Sequence, residues 1–407
     1  MTGTRTSLPD RGELGPASVI AALGAKGPMS RAQLARALRV SPATITQVTK
    51  SLLSLGVITE LDVVSSGGGR PAQLLGLVDG AGVGAIGAKV TADHVTMVQV
   101  GLDGAVRDIL HEPFDPSSPD ALDVLARLLA AAIARYDGLL LGIGVGVPGT
   151  VDDQASGVVQ APTLGWREVP VGTFLRRELD LPVLVDNDVN TLAVAERLYG
   201  TAGSHDSALI VTIGRGIGCG IVVDGNLHRG ADGGAGEIGH FPVAADGPVC
   251  GCGNTGCLEA FIGDEALVRT AREAGAIGPR SGKVALRRAA DAGDAAARSV
   301  FADAGALLGR TLAGVVHTVA PEIVVVLGEG TDCWPHWEES FERAFRRHLL
   351  PGRRSLPFAV ESWSDERWAA GAAALVLHTP FDAAGASGDQ GRLIRARLHT
   401  GSAAAMR

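Results

Sequence analysis

A chain of 407 residues with 46% hydrophobic residues is long enough for two or three globular domains, and an aromatic share of only 4% leaves their cores to Ala, Val, Leu and Ile. No run of eighteen apolar residues is free of charge, so no membrane span is expected, and the N-terminal MTGTRTSLPDRGELG lacks the apolar stretch of a secretion signal. Five cysteines, most of them in one cluster, suit a reducing compartment, and a cytoplasmic location is expected.

The net charge of −8 is unevenly spread: up to Leu77, eight Lys/Arg stand against four acids, which makes that segment +4 and the remainder −12. A small basic module on a large acidic body points to a polyanion as partner of the module alone. Residues 1–14 read as a flexible arm and 15–78 as the module. A first helix fits Gly15–Ala25. Ser30 is an N-cap for RAQLARALRV, where Leu34, Ala35 and Leu38 recur at helical spacing, and Val40 ends the helix. Ser41-Pro42 opens the next helix, ATITQVTKSLLSLG, with a cap and an N1 proline. Ile45, Val48, Leu52 and Leu53 form its apolar stripe, and Gly56 closes it. This helix, short turn, helix pattern places the second helix to enter a major groove. Its exposed positions are Ala43, Thr44, Thr46, Gln47 and Lys50. Thr and Gln suit base edges, and Lys50 suits a phosphate. Arg31 and Ser41 join them as candidate contacts to double-stranded DNA. VITELDVV and AQLLGLV read as strands around SSGGGRP, a wing with Arg70 at its tip. The plainer alternative is a helical protein-interaction module.

Residues 79–378 read as an α/β body, which the family resemblance given below implies to be two lobes split near residue 198. GAIGAKV and HVTMVQVGLDG form a strand hairpin, Asp120–Ala134 a helix, and LLLGIGVGVPGTVD a buried strand leading to a loop. In LPVLVDNDVNTLAVAE, a short strand Pro182–Val185 is followed by Asp186–Asp188 at its carboxyl end and a helix through Glu196. Ligands of open α/β sheets bind beyond strand carboxyl ends. Helix capping by one of these three residues is the structural alternative, and both hold together. SALIVTIGRGIGCGIVVDGNLHRG gives two strands around a glycine turn, Gly214–Gly218, a spacing any tight hairpin could need. The stretch GEIGHFPVAADGPVCGCGNTGCLEA gathers His240, Cys250, Cys252 and Cys257 within eighteen positions. Three thiolates and an imidazole complete a tetrahedral zinc shell with no open position, which predicts structural zinc. The alternative is ordinary buried thiols. Asp264–Val316 reads as mostly helical, EIVVVLGEG as a buried strand with a glycine turn, and residues 366–378 as a closing helix, which the family resemblance given below implies returns to the first lobe. The tail 379–407 reads as disordered.

Gly239-His240, the Cys-x-Cys-Gly-x-x-Gly-Cys run and Glu259 resemble the zinc signature of the ROK family, which contains repressors and sugar kinases. The resemblance extends from about Met29 to about Val376. SRAQLARALRVSPATITQVTKSLLSLGVI resembles the winged helix-turn-helix of ROK repressors, and GGGRP their wing. The resemblance implies a winged helix-turn-helix domain followed by a two-lobed sugar kinase-type body of the actin and hsp70 (ribonuclease H-like) class. It implies that Asn187 and Asp188 hold a sugar, Asp188 being the general base in the kinases. It implies that Glu237, His240 and Glu259 reach the sugar hydroxyls, with one His240 ring nitrogen on zinc and the other on the sugar. Where the kinases carry an Asp-x-Gly-Gly-Thr phosphate loop, Lys89, Val90, Thr91, Ala92 and Asp93 stand here. Ala and Thr would crowd a phosphate and Asp93 would repel it. Arg215 replaces a usual Thr, and Glu329 a usual Gly. The resemblance thus implies a sugar-responsive regulator, expected to be a repressor, with structural zinc and a degenerate ATP site, acting as a homodimer or dimer of dimers. No catalytic residue is expected. The rivals are an active glucokinase-like enzyme carrying a DNA-binding module, with Asp188 as base, and a sugar sensor that docks a protein.

Overall fold

The computed structural model describes residues 19–20, 22–24, 27–38, 40–54, 57–64, 72–77, 82–379 and 387–405. The expected arm, the SSGGGRP loop and Arg70 lie outside the described residues.

The N-terminal unit starts with helical residues Val19, Ile20, Ala22, Leu23 and Gly24. Strand β1 (Met29–Ser30), helices α1 (Arg31–Ala37) and α2 (Pro42–Ser54), and strands β2 (Ile58–Val64) and β3 (Ala72–Leu77) follow. The strands form one antiparallel sheet in the order β1-β3-β2. Ser30 caps α1 reciprocally: its Oγ accepts from Gln33 N at 3.3 Å, and Gln33 Oε1 accepts from Ser30 N at 2.8 Å. Such a capping box satisfies two helix-end donors that have no partner within the helix. Ser41 Oγ accepts from Thr44 N at 3.1 Å at the start of α2. Leu34, Ile45, Leu52, Ile58 and Leu75 form the centre of this unit. Thr49, outside the apolar stripe, is fully buried with them. Its hydroxyl donates to Ile45 O at 2.7 Å and accepts from Arg31 Nε at 3.1 Å, which satisfies a group that burial would otherwise penalise.

The first lobe carries β4 (Gly84–Val90), β5 (His94–Gly101), β6 (Val106–Pro113), α3 (Ala121–Ala134) and β7 (Leu140–Val147). A small antiparallel sheet of β8 (Thr150–Val151), β9 (Val158–Ala161) and β10 (Trp166–Pro170) follows, then α4 (Val171–Leu179), β11 (Val183–Asn187) and α5 (Asp188–Leu198). The main sheet runs β11-β7-β4-β5-β6, parallel across β11, β7 and β4 and antiparallel beyond. The second lobe carries β12 (Ala208–Ile213), β13 (Ile217–Val223) and β14 (Asn226–Leu227). It continues with α6 (Glu259–Ile262), α7 (Asp264–Glu273), α8 (Lys283–Asp291), α9 (Ala295–Val319), β15 (Ile323–Leu327), α10 (Trp334–His348) and β16 (Phe358–Val360). Its sheet order is β14-β13-β12-β15-β16. By length and composition α9 could cross a bilayer, but it packs Phe301, Leu308 and Leu312 into the core beside Trp337, Phe341 and Phe345.

α11 (Asp365–His378) returns to the first lobe and lies across β4, β5 and β7. Its Ala-rich face lets it approach closely: a Cβ on Gly144 would run into the Ala372 carbonyl. One structural finding corrects the sequence reading. Residues 388–405, expected to be a disordered tail, form a helix, α12 (Gly388–Ala405). Its stretch RLIRARL places Ile394 and Leu398 one turn apart, and both are fully buried. Arg397 Nε donates to Leu140 O at 3.0 Å, and Arg395 to Thr379 O at 3.2 Å. The composition hid this because two apolar residues at i, i+4 suffice when the partner surface is already built. Ile394 and Leu398 belong to one contiguous core with Val19, Ile20 and Leu23, the α1–α2 residues and α11.

Candidate functional site

The cysteine-rich loop is held by short bridges, Pro242 with Cys257 and Val249 with Thr255, and by Cys250 N donating to Asn254 O at 2.7 Å. Gly256 has φ +74°, and a Cβ there would collide with the Ala244 carbonyl. The loop brings one ligand atom each of His240, Cys250, Cys252 and Cys257 within 4.8 Å of one another, a cluster that could hold a metal ion. Cys252 Sγ lies 3.7 Å from Cys257 Sγ, and Cys250 Sγ 3.5 Å from His240 Nδ1. Tetrahedral bonds of about 2.3 Å to sulfur require S···S separations of about 3.8 Å, so the donors stand at a spacing that zinc would take. Cys219 and Cys333 are buried elsewhere; burial pushes the Cys219 thiol up to about 12.

His240 turns its other ring nitrogen away from the cluster: Nε2 lies 3.8 Å from Glu237 Oε2. Burial pushes the Glu237 carboxyl up; His240 pulls it back, and the carboxylates of Asp188 and Glu259 add to the rise. Glu259 Oε2 accepts from Ile217 N at 3.0 Å, tying α6 to the glycine turn between β12 and β13. Asp188, Glu237, His240 and Glu259 therefore lie near one another. Asn187 caps α5, its Oδ1 accepting from Val189 N at 2.9 Å and Asn190 N at 3.1 Å. One of its amide N–H groups donates to Gly149 O at 2.8 Å.

Two residues here were missed as site residues. Lys89, at the end of β4, is 8% exposed and pairs through Nζ with Asp188 Oδ2. The same ammonium lies 4.2 Å from the centroid of Trp368 on α11. A lysine amid the wholly buried run of β4 was the available signal, since such a charge requires a partner. Asp186 is fully buried and receives Arg229 in a fork, Nε to Oδ2 at 3.0 Å and the terminal nitrogen to Oδ1 at 3.1 Å. Gln154 and Asn190 donate to the same carboxylate at 2.7 and 3.2 Å.

The turns that face phosphate in the kinases are closed by carboxylates. Asp93 sits in a tight turn, accepting from Thr91 Oγ1 at 2.9 Å and lying 2.8 Å from His94 Nδ1. Hydrogen bonds from His94 and then Thr91 hold its carboxyl below the usual range. Glu329 Oε1 accepts from Arg215 N at 2.8 Å, so the side chain covers the backbone donor of the glycine turn. Lys283 holds the Glu329 carbonyl at 3.0 Å.

On α2, Ala43, Thr46, Gln47 and Lys50 are exposed together, whereas Thr44 is half-buried with its hydroxyl 2.8 Å from Ser41 Oγ. Thr46 Oγ1 donates to Pro42 O at 2.8 Å. Arg31 is directed inward, to Thr49 and to Glu60 Oε1 at 3.0 Å.

Fold and site together define a two-lobed, kinase-like body joined to a small helical module. Residues 86–379 match the ROK family, and the chain belongs to it. Among its relatives, the DNA-binding transcriptional dual regulator NagC of Escherichia coli is 29% identical over 376 residues, 89% of this chain and 92% of its own length. A xylose repressor of Bacillus subtilis is 28% identical over 303 residues, 74% of this chain and 78% of its own. Among solved structures, a ROK family transcriptional regulator, homologous to the Escherichia coli MLC protein, matches with a TM-score of 0.74 at 26% identity, covering 95% of this chain and 98% of that one. A ROK glucokinase from Streptomyces griseus, in complex with glucose and AMPPNP, matches with a TM-score of 0.63 at 28% identity but covers only 72% of this chain, against 98% of its own.

Proposed function

We propose that this protein is a sugar-responsive, DNA-binding transcriptional repressor of the cytoplasm, acting as a homodimer or a dimer of dimers. The observation that carries the reading is the single core that joins the N-terminal unit of two helices and a small sheet to a kinase-like body. The nearly full-length similarity to a ROK regulator supports it. In this reading the N-terminal unit is a winged helix-turn-helix. Gln47, Thr46 and Ala43 face base edges, while Lys50, Ser41, Thr44 and Arg70 serve the backbone or the groove beside it. Arg31 acts by bracing α1 against α2 and β2, so its part in DNA binding is positional. The cleft takes a sugar against Asn187, Asp188, Glu237, His240 and Glu259. His240, Cys250, Cys252 and Cys257 hold a structural zinc, which keeps the wall of that cleft in shape. A sugar acts as effector by preferring one closure of the lobes, and so one spacing of two DNA-binding units.

An active kinase is disfavoured by Glu329 and Asp93. Phosphoryl transfer depends on positioning and neutralising the nucleotide phosphates, and two carboxylates do the opposite. The test is fluorescence anisotropy of the protein on its own upstream DNA, with a sugar panel titrated in. Tight binding weakened by one sugar is the expected result. No binding even at low salt, where the phosphate contribution is greatest, overturns the DNA reading. Turnover of ATP with any hexose overturns the preference over a kinase. Cys252→Ser is expected to lose stoichiometric metal, measured by mass spectrometry of the native protein, and a variant with full metal content removes the zinc assignment.

A further inference from the structure

Beside Asp188 stands a cation that the sugar reading above leaves without a task. Lys89 is almost buried, and a buried ammonium persists only with partners that offset its lost hydration. Asp188 supplies the charge and the Trp368 ring face supplies a second contact, at 4.2 Å from its centroid. An ammonium has three N–H donors. Among the described residues, Asp188 is the one hydrogen-bond acceptor of Lys89, so donor capacity remains. Asp188 in turn has its Oδ1 on Val189 N at 2.8 Å and only Oδ2 on Lys89. The pair therefore sets a donor and an acceptor side by side. That arrangement complements a hydroxyl group, which accepts through its oxygen and donates through its hydrogen, and adjacent hydroxyls of a sugar can bridge both groups.

We infer that Lys89 is a sugar ligand, and that its engagement is felt by Trp368 on α11. The inference rests on the sugar reading of the cleft. A hydroxyl that enters between the ammonium and Asp188 takes a hydrogen bond from Lys89 and gives one to Asp188. The ammonium then moves relative to the indole, which is itself only 7% exposed and cannot ignore the change.

The test titrates the full-length protein calorimetrically with D-xylose, D-glucose and N-acetyl-D-glucosamine, and records tryptophan fluorescence alongside. Lys89→Met keeps the stem that packs on Trp368 and removes the charge; Lys89→Arg keeps the charge; Trp368→Phe keeps an aromatic face and removes the reporter. The sugar that binds the natural protein is expected to bind K89M roughly tenfold or more weakly, as fits a charge-assisted hydrogen bond, and K89R better than K89M. Trp368→Phe is expected to retain heat of binding and lose most of the fluorescence change. Circular dichroism confirms that each variant is folded; should K89M not fold, Lys89→Gln replaces it as the uncharged variant, and natural affinity there overturns the ligand role. Folded K89M with the natural affinity also overturns it, and W368F with an undiminished fluorescence change overturns the link to α11. A natural protein that binds none of the three sugars overturns the sugar reading itself and the inference with it, a result distinct from either of the others.

Discussion

Replacing Arg229 with Met should destabilise the body by about 3 kcal/mol. Arg229 follows β14 in the second lobe, and its fork reaches Asp186 at the end of β11 in the first, with a further bond to Val151 O at 3.1 Å. Asp186 has no exposed surface, so removing its cation strands a buried carboxylate. Breaking a buried pair from one side costs about 3–5 kcal/mol. The lower end applies because Gln154, Asn190 and the Asn187 N–H still donate to the same carboxylate. Urea unfolding followed by tryptophan fluorescence and by circular dichroism provides the measurement, with coincidence of the two probes as the check on a single transition. The double variant Asp186→Asn with Arg229→Met should recover part of the loss, because the stranded charge is gone. A single-variant loss below about 1 kcal/mol, the range of exposed pairs, would refute the reasoning. So would a double variant less stable than R229M.

Truncation after Ser387 removes α12 and uncovers the surface under Ile394 and Leu398. At roughly 1.5–3 kcal/mol per fully buried side chain, a loss of about 3–6 kcal/mol is expected in urea unfolding, and an unchanged midpoint would show that the helix does not hold. Glu329→Gly should uncover the Arg215 N–H and let AMPPNP bind more tightly than to the natural protein, where affinity weaker than about 1 mM is expected by calorimetry; equal affinities would mean that Glu329 does not guard the turn. Asp93 has a depressed carboxyl, so its contribution to stability is present above the ordinary carboxylate pKa of 3.8 and is lost as pH falls below that value through its lower folded one. Asp93→Asn should therefore narrow the stability gap between pH 5 and pH 3, and an unchanged gap counts against the His94 and Thr91 hydrogen bonds.

What the sequence made legible was local. Ser30 with Gln33, and Ser41 before Pro42, announce helix starts because a cap and its partner lie within one turn. His240, Cys250, Cys252 and Cys257 lie within eighteen positions, so their convergence needed only a loop. Asp188, Glu237, His240 and Glu259 came from family resemblance, and the structure brings them together. Contacts made by distant chain segments stayed hidden. Lys89 and Asp188 are 99 residues apart, and Asp186 and Arg229 are 43 apart. Lys89 read as the loss of an acidic residue because its partner belongs to another strand end. The bond from Arg31 to the buried Thr49 hydroxyl likewise joins positions 18 residues apart. The α12 helix failed to register because its two anchoring side chains gain their value from a surface built by residues near the other end of the chain.

That meeting of the two chain ends sets an order of events during synthesis. Val19 and Leu23 share a core with Ala373 on α11 and with Leu398, so the N-terminal unit leaves the ribosome with one flank bare. At about 5–20 residues per second, the covering helices arrive on the order of tens of seconds later. The nascent chain therefore completes its N-terminal unit only after the whole α/β body has been made, and an unfinished chain does not carry a finished one.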